Sequence, residues 1–219
     1  YWSENTGTVI ADGYGQTETI NIVGNFPGVE TRFGSMGKPV PGFDINVVDD
    51  NGKILPDGEV GHIAICTEKK WPPGLFHGYL QNKVIVKDSF RHGWYYTGDT
   101  ASRDKDGYLW FVGRSDDLIS SAGYRISPFE VESALLEHDL IAESAVVGVP
   151  DETRGELVKA YIVLVEGYKG SNELIREIQD FCKNLTAPYK YPRKVEFVDS
   201  LPKTISGKIR RVELRENDN

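Results

Sequence analysis

Hydrophobic and polar positions along the chain change rhythm once, near residue 115. Before that point apolar residues come in short alternating runs broken by turn residues, the period-two pattern of half-buried strands. In "FDINVVDDNGKI", residues 43–54, Asp50-Asn51-Gly52 predicts a hairpin turn between two runs. "GEVGHIAIC" alternates in the same way after Pro56-Asp57-Gly58, and Asp106-Gly107 opens a further strand in "KDGYLWFVGR". Residues 1 to about 112 therefore predict a compact, β-rich, barrel-like unit with little helix.

Beyond residue 115 strands alternate with helices. "SPFEVESALLEH" predicts a helix opened by a capping box, with Ser127 capping the N–H of Glu130, Glu130 reaching back and Pro128 in the first turn. Val131, Leu135 and His138 fall on one face of it. "ESAVVGVPD" and "LVKAYIVLVEG" predict strands, and "SNELIREIQDFCKNL" a helix whose stripe is Leu174, Ile178, Phe181 and Leu185. "RKVEFVDSLP" predicts a last strand and "SGKIRRVELRE" a closing helical turn or two. The fold class is α/β in the broad sense and α+β in detail, with a boundary inside "GRSDDLISSAG".

Composition narrows the partners. A 219-residue chain that is 39% hydrophobic and 26% charged can bury a core, and allows one large or two small domains. A net charge of −8 argues against nucleic acid or an anionic membrane as the main partner. No apolar run approaches the roughly 20 residues of a membrane span. Cys66 and Cys182 lie far apart and match no metal spacing, which fits a reduced compartment. The expected compartment is the cytoplasm, with an organellar matrix also compatible. The chain opens at Tyr1 rather than methionine, so it is expected to be a fragment that would have lost any targeting segment.

Certain stretches can carry chemistry. "DGYGQTET", residues 12–19, offers a close-turning backbone with a hydroxyl and a carboxylate, which suits a phosphate bridged by a divalent cation; it also reads as a β-turn with a solvated Glu18. "GWYYTGDT", residues 93–100, sets Asp99 at the end of an apolar run, either as an acceptor for a ribose diol or as a turn cap. "GRSDDLISSAGYRISP", residues 113–128, places Arg114 and Arg125 around small residues; phosphate recognition and plain surface ion pairs both fit. In "SLPKTISGKIRR" Lys208 stands on a Ser-Gly turn, from which a long stem can reach into a neighbouring site or simply remain solvated. His62, His77, His92 and His138 share no ligand spacing, and Trp71 with Pro72-Pro73 reads as a loop anchor. Trp94, Tyr95 and Tyr96 read as core.

Taken in order, "GYGQTE", "YYTGD", "GRSDD", "GYRISPFEVE" and "PKTISGK" resemble the AMP-forming acyl-CoA synthetases of the adenylate-forming superfamily. The wording of "SAGYRISPFEVESALLEH", "DETRGELVKAYIVL" and "APYKYPRKVEF" is most like the medium-chain branch. The resemblance implies that residues 1–115 are the end of a large AMP-binding domain and residues 116–219 a small mobile C-terminal domain, hinged at Asp116. It implies a ligase that activates a carboxylic acid, medium-chain or similarly apolar, with ATP and Mg²⁺ and then forms the coenzyme A thioester. The fragment alone is expected to be inactive, because the family's phosphate loop and most of the acyl pocket lie upstream.

Residue by residue, the resemblance places Asp12, Gly13, Tyr14, Gly15, Gln16 and Thr17 along the adenine and α-phosphate, with Thr17 also near the substrate carboxylate. Glu18 would hold Mg²⁺, Asp99 and Arg114 the ribose, and Arg125 would approach the phosphates. Lys208 would be the catalytic lysine of adenylate formation, acting with Thr17 and Glu18. Ala122, Gly123 and Tyr124 would line the pantetheine arm of coenzyme A, and Arg154, Lys183, Tyr191 and Arg193 its nucleotide. Ala122 stands where the family commonly has serine, which removes a hydroxyl and keeps the narrow backbone. An enzyme that loads a carrier protein, or a nucleotide-binding module without catalysis, are the other readings. No nucleic-acid or membrane partner is expected, and an oligomer is compatible with the sequence.

Overall fold

A computed structural model describes residues 1–79 and 88–216. The chain divides into two compact units, Tyr1–Ser115 and Asp116–Asn219. Each holds its own buried core.

The first unit opens with a short helix, α1 (Trp2–Thr6), followed by β1 (Gly13–Gln16), β2 (Ile20–Gly24) and β3 (Lys38–Pro39), which form a three-stranded antiparallel sheet. A second sheet takes β4 (Ile45–Val48), β5 (Val60–Cys66), β6 (Phe90–Arg91), β7 (Trp94–Arg103) and β8 (Leu109–Arg114). The alternation read in "FDINVVDDNGKI" holds: Asp49 and Lys53 close the turn through a 2.9 Å backbone bond. An antiparallel bridge between Gly37 and Leu109 links the two sheets, and Ile22, Val23, Met36, Val47, Ile63, Ile65 and Leu109 form one buried cluster. The expected barrel-like form is corrected in one respect: among the described residues these are two open sheets over a shared core, with no closed barrel. Apart from the Gly37–Leu109 bridge, the two sheets meet through side-chain burial rather than a continuous ladder.

The second unit begins with the hairpin β9 (Ile119–Ser121) and β10 (Tyr124–Ile126), then α2 (Pro128–Leu135), β11 (Ile141–Asp151), β12 (Gly155–Leu164), α3 (Asn172–Leu185), β13 (Lys194–Phe197) and α4 (Arg211–Glu216). Strands β11 and β12 pair antiparallel over almost their full length, while β13 joins β12 in parallel, the connection that needs α3 as its crossover. Helix α2 starts as the sequence predicts, the Ser127 hydroxyl accepting from Glu130 N at 3.3 Å; the structure shows α3 capped in the same way, with the Ser171 hydroxyl accepting from Leu174 N at 3.2 Å. The Glu130 carboxylate is ion-paired with Lys190 at 2.5 Å.

Side chains of β11 alternate between two cores. Val146 joins Ile126, Val131, Leu135, Val158, Ile162 and Ile178 beneath the helices. Ala145, Val147 and Val149 pack with Tyr161, Leu201 and Leu214 on the opposite face. Truncating Ile178 or Leu135, both 0% exposed, to alanine costs about 2–5 kcal/mol in such a site. The stripe expected along α3 is corrected at its far end: Cys182 is fully buried, while Leu185 is half exposed and Phe181 lies edge-on to His138. One turn of drift toward the C-terminus carries Leu185 out over the helix end, and the smaller thiol fills the core position.

Candidate functional site

In the first unit the site is built at the turn between β1 and β2. Thr19 N bonds Gln16 O at 3.0 Å, and the buried Thr19 hydroxyl accepts from Gln16 N at 3.0 Å. Gly15 is required there by close approach, because a Cβ on it would lie 1.8 Å from the Ile20 carbonyl oxygen. This turn leaves Thr17 exposed at the tip and Glu18 half-buried beside it.

Asp99 lies in the middle of β7, 6% exposed, directly opposite Arg114 of β8. One carboxylate oxygen, Oδ2, accepts both from the Tyr14 hydroxyl at 2.6 Å and from Gln16 Nε2 at 2.8 Å. The same Gln16 amide donates to the Thr97 carbonyl at 2.9 Å, so the cradle is anchored to the strand that carries the aspartate. Arg114 Nη1 stands 3.8 Å from Oδ1. Burial, and then the Asp99 charge, push the Tyr14 hydroxyl far above the usual phenol range, so it stays protonated and can only donate to the carboxylate. Burial and the charge of Glu18 likewise raise Tyr95. Four sequence-predicted positions, Tyr14, Gln16, Asp99 and Arg114, therefore meet at one carboxylate.

Asp12 is exposed, and its backbone carbonyl accepts from the Asn25 side chain at 3.0 Å. Gly13 is paired with Gly24 across the β1–β2 ladder. Glu18 Oε1 accepts a hydrogen bond from the Tyr79 hydroxyl, and Phe76 N bonds the Glu18 carbonyl at 2.8 Å. Sequence reasoning missed Tyr79, whose only signal is its place in "FHGY", 61 residues away from Glu18. Among the described residues no group of three or more His, Cys, Asp or Glu side chains could hold a metal ion. A cation at Glu18 would thus draw most of its oxygens from phosphate and water, which suits Mg²⁺ better than a metal that needs a full protein cage.

The second unit carries the remaining predicted positions in three places. Ala122 and Gly123 form the two-residue turn of the β9–β10 hairpin, with φ of 50° and 83°. Both positive values mark a turn whose twist matches the strands, an unusual demand on alanine. Ala122 N donates to the Arg154 carbonyl at 2.9 Å, which ties that turn to the β11–β12 connection. Tyr124, exposed just after the turn, stacks on Tyr189 with centroids 4.1 Å apart. Arg125 is exposed on β10, opposite Ser120.

The second place gathers on the Tyr191 ring. Arg193 Nη1 donates to the Tyr191 hydroxyl at 2.8 Å, its guanidinium lies 4.8 Å from the ring centroid, and Lys183 Nζ lies 4.5 Å from it. A hydrogen bond to Asp180 holds the Lys183 ammonium above the usual lysine range. Two cations against one aromatic ring make an anion-seeking patch.

Lys208 is the third place. It is exposed on a small hairpin closed by a bridge between Lys203 and Ile209. Lys208 N donates to the Thr204 hydroxyl at 3.1 Å, Thr204 N donates to the Lys208 carbonyl at 2.8 Å, and Gly207 turns with φ 82°. His62 pairs with Asp50, His77 stacks on Trp71, and burial pushes the Cys182 thiol up to about 11, which leaves these groups structural.

Comparison with known proteins adds the family. Residues 1–80 match the AMP-binding enzyme family, and residues 130–208 match the AMP-binding enzyme C-terminal domain. The mitochondrial acyl-coenzyme A synthetase ACSM3 of Mus musculus is 55% identical over 219 residues, 99% of this chain and 38% of that protein. 4-Hydroxybutyrate–CoA ligase 1 of Metallosphaera sedula is 57% identical over 218 residues, again 99% of this chain and 38% of that protein. The crystal structure of the anthranilate CoA ligase AuaEII in complex with anthranoyl-AMP superposes with a TM-score of 0.84 at 42% identity, covering 100% of this chain and 41% of that one. The chain spans about 38% of the length of the curated relatives it matches. With both family matches in chain order over residues 1–80 and 130–208, the chain belongs to the AMP-binding enzymes.

Proposed function

We propose that this chain is the closing part of an AMP-forming acyl-CoA ligase. Residues 1–115 complete the nucleotide site of a large domain, and residues 116–219 form a small domain that moves about Asp116. The observation that carries the reading is the Asp99 carboxylate, oriented by Tyr14 and Gln16 through one oxygen and faced by Arg114. An acceptor preset in this way suits the diol of a ribose, because a carboxylate is acceptor-only and one of its oxygens is aimed by two neutral donors.

The chemistry follows from charge. A carboxylate resists nucleophiles because attack adds negative charge to an anion. Displacement at the α-phosphate of ATP joins the acid to AMP, expels pyrophosphate and supplies a leaving group. Asp99 and Arg114 position the nucleoside, and Thr17 meets the α-phosphate and the incoming carboxylate. Lys208 offsets the charge that builds on the phosphate oxygens. Glu18 would hold Mg²⁺, which supplies charge neutralisation on the phosphates when bound. The thiol of coenzyme A then attacks the acyl carbonyl and AMP departs. Ala122, Gly123 and Tyr124 would line the pantetheine, while Arg154, Lys183, Tyr191 and Arg193 face its phosphates. The cations gathered on Tyr191 support free coenzyme A over a carrier-protein arm, which lacks the 3′-phosphate. The substrate acid is medium-chain or similarly apolar, in line with the medium-chain resemblance. The mitochondrial names of the mammalian relatives support an organellar matrix, and no helix among the described residues is long and apolar enough to cross a membrane.

The test is a panel of carboxylic acids given to the full-length enzyme with ATP and Mg²⁺. Pyrophosphate release with an apolar acid, followed by thioester only when coenzyme A is added, is the expected result. Transfer to a carrier protein in preference to coenzyme A, or no pyrophosphate with any acid, would overturn it.

A further inference from the structure

The tail that carries Lys208 is held to the rest of the second unit by the Lys203–Glu143 ion pair at 2.6 Å, by Ile209 packed against the core of Tyr161 and Leu214, and by two feet on either side. The first is Leu201, buried in the lower core, followed by a 2.9 Å bond from Arg210 N to the Pro202 carbonyl. The second is α4, which begins three residues beyond Lys208. There Leu214 is 4% exposed and its carbonyl accepts from the Tyr161 hydroxyl at 3.1 Å.

What singles α4 out is its charge. Arg211 makes a two-point contact with Glu132 of α2, Nη2 lying 2.8 Å from Oε1 and 2.6 Å from Oε2. The Glu132 side chain is only 8% exposed and also accepts from Val146 N at 2.8 Å. Arg211 Nη1 stands 3.6 Å from Asp117 Oδ2. One turn later, Arg215 donates to Asp117 Oδ1 at 2.8 Å and to the backbone carbonyl of Asp116 at 3.1 Å. Two arginines and two carboxylates thus form a balanced, largely buried network joining α4, α2 and the first two residues of the unit. Replacing such a network by apolar residues is often neutral or stabilising, so stability alone does not explain its presence. Its geometry does something a greasy contact would not: guanidinium forks fix direction as well as distance.

We propose that Arg211 and Arg215 are positioning residues for Lys208, clamping the helix behind its hairpin to Asp116 and Asp117 so that hinge and lysine move as one rigid piece. The inference rests on the functional reading above. A lysine on a compliant tail would arrive at the phosphates with scatter, and misplacement of about 1 Å can cost on the order of 100-fold in rate. The residues assigned to coenzyme A sit on the β9–β10 turn, the β11–β12 connection and the segment from α3 to β13, none of which the clamp holds directly. Loosening it should therefore harm one half-reaction and spare the other.

The experiment uses the full-length enzyme with three variants: Arg215→Met, Asp117→Asn and the conservative Arg215→Lys. These avoid Arg211→Met, which strands Glu132 in the core and threatens the fold. Adenylate formation is read by ATP–pyrophosphate exchange, and thioester formation by supplying acyl-AMP with coenzyme A. Arg215→Met and Asp117→Asn should each lower the first by about tenfold and leave the second within about twofold. Their combination should cost less than the product of the two, since both cut the Arg215–Asp117 link while each also loses one contact of its own. Arg215→Lys should recover part of the loss, because an ammonium can reach one of the two acceptors. Amide exchange at Thr204 and Gly207 should quicken in Arg215→Met while β11 and β12 remain protected. Parallel loss of both half-reactions, or no change in either, overturns the clamp. Lys208→Ala run beside them separates the two levels: if it spares adenylate formation, the reading of Lys208 fails and the clamp fails with it.

Discussion

The Asp99 cradle and the Lys208 hairpin hold charge in opposite ways. Asp99 is buried in a strand, and two neutral donors aim one of its oxygens. Lys208 stands exposed at the edge of a turn whose bonds fix its backbone only. The difference follows from what each group must do. An acceptor for hydroxyls gains from being set beforehand, since ordering it costs nothing at the moment of binding. A cation needed in one step is better kept in water, which solvates it until the phosphates replace that shell.

The comparison is broken most severely by Lys208→Ala. In the full-length enzyme it should lower adenylate formation by about 100- to 1000-fold while thioester formation from supplied acyl-AMP persists. Single-turnover assays of the two halves decide it, and equal losses would remove the lysine from its assigned step.

Next in size is Tyr14→Phe, which keeps the ring and deletes one donor to Asp99. Hydrogen bonds to charged groups are worth about 1.5–3 kcal/mol, so ATP binding measured by titration calorimetry should weaken about tenfold or more. Unchanged affinity would mean that Gln16 alone aims the carboxylate.

A smaller effect separates the second unit's own sites. Arg154→Ala with Arg193→Ala should raise KM for coenzyme A several-fold, roughly 1 kcal/mol, and leave KM for ATP in place. The reverse pattern would move the nucleotide of coenzyme A elsewhere. The mildest change is Gly207→Ala. Its φ is 82° and nothing lies within 4 Å of a Cβ built there, so only backbone strain opposes it, about 1 kcal/mol. Faster amide exchange in the hairpin with an unmoved thermal midpoint is the expected outcome; a fall in the midpoint would show that the hairpin is part of the core.

Local signals were readable and distant ones were not. Ser127 sits three residues before the amide it caps, and Asp50-Asn51-Gly52 turns the chain where two alternating runs meet; both depend on neighbours in sequence. The resemblance supplied Asp99, Tyr14 and Gln16 separately, but their convergence on Oδ2 spans more than 80 residues and no periodicity encodes it. Tyr79 on Glu18, Tyr189 on Tyr124 and the Arg154 carbonyl beneath Ala122 were hidden for the same reason. The α3 stripe went astray at Leu185 because a period fixes a face and not where the neighbouring core ends. The barrel-like expectation went too far because alternation specifies pleat and burial, and whether a sheet closes depends on pairing between remote edges.

Strand β11 has a consequence for where Arg154 comes to rest. With apolar neighbours on both sides, its middle would tolerate sliding by one residue, since Val146 and Val147 would merely trade greasy seats. The brakes are at its ends. A bulge between Ile141 and Glu143 stops it at one end, and at the other the Asp151 carboxylate gathers the amides of Thr153 and Arg154 at 3.1 and 2.9 Å. A one-residue insertion between Asp151 and Arg154 would leave the hydrophobic interior content and still drag the arginine out of line.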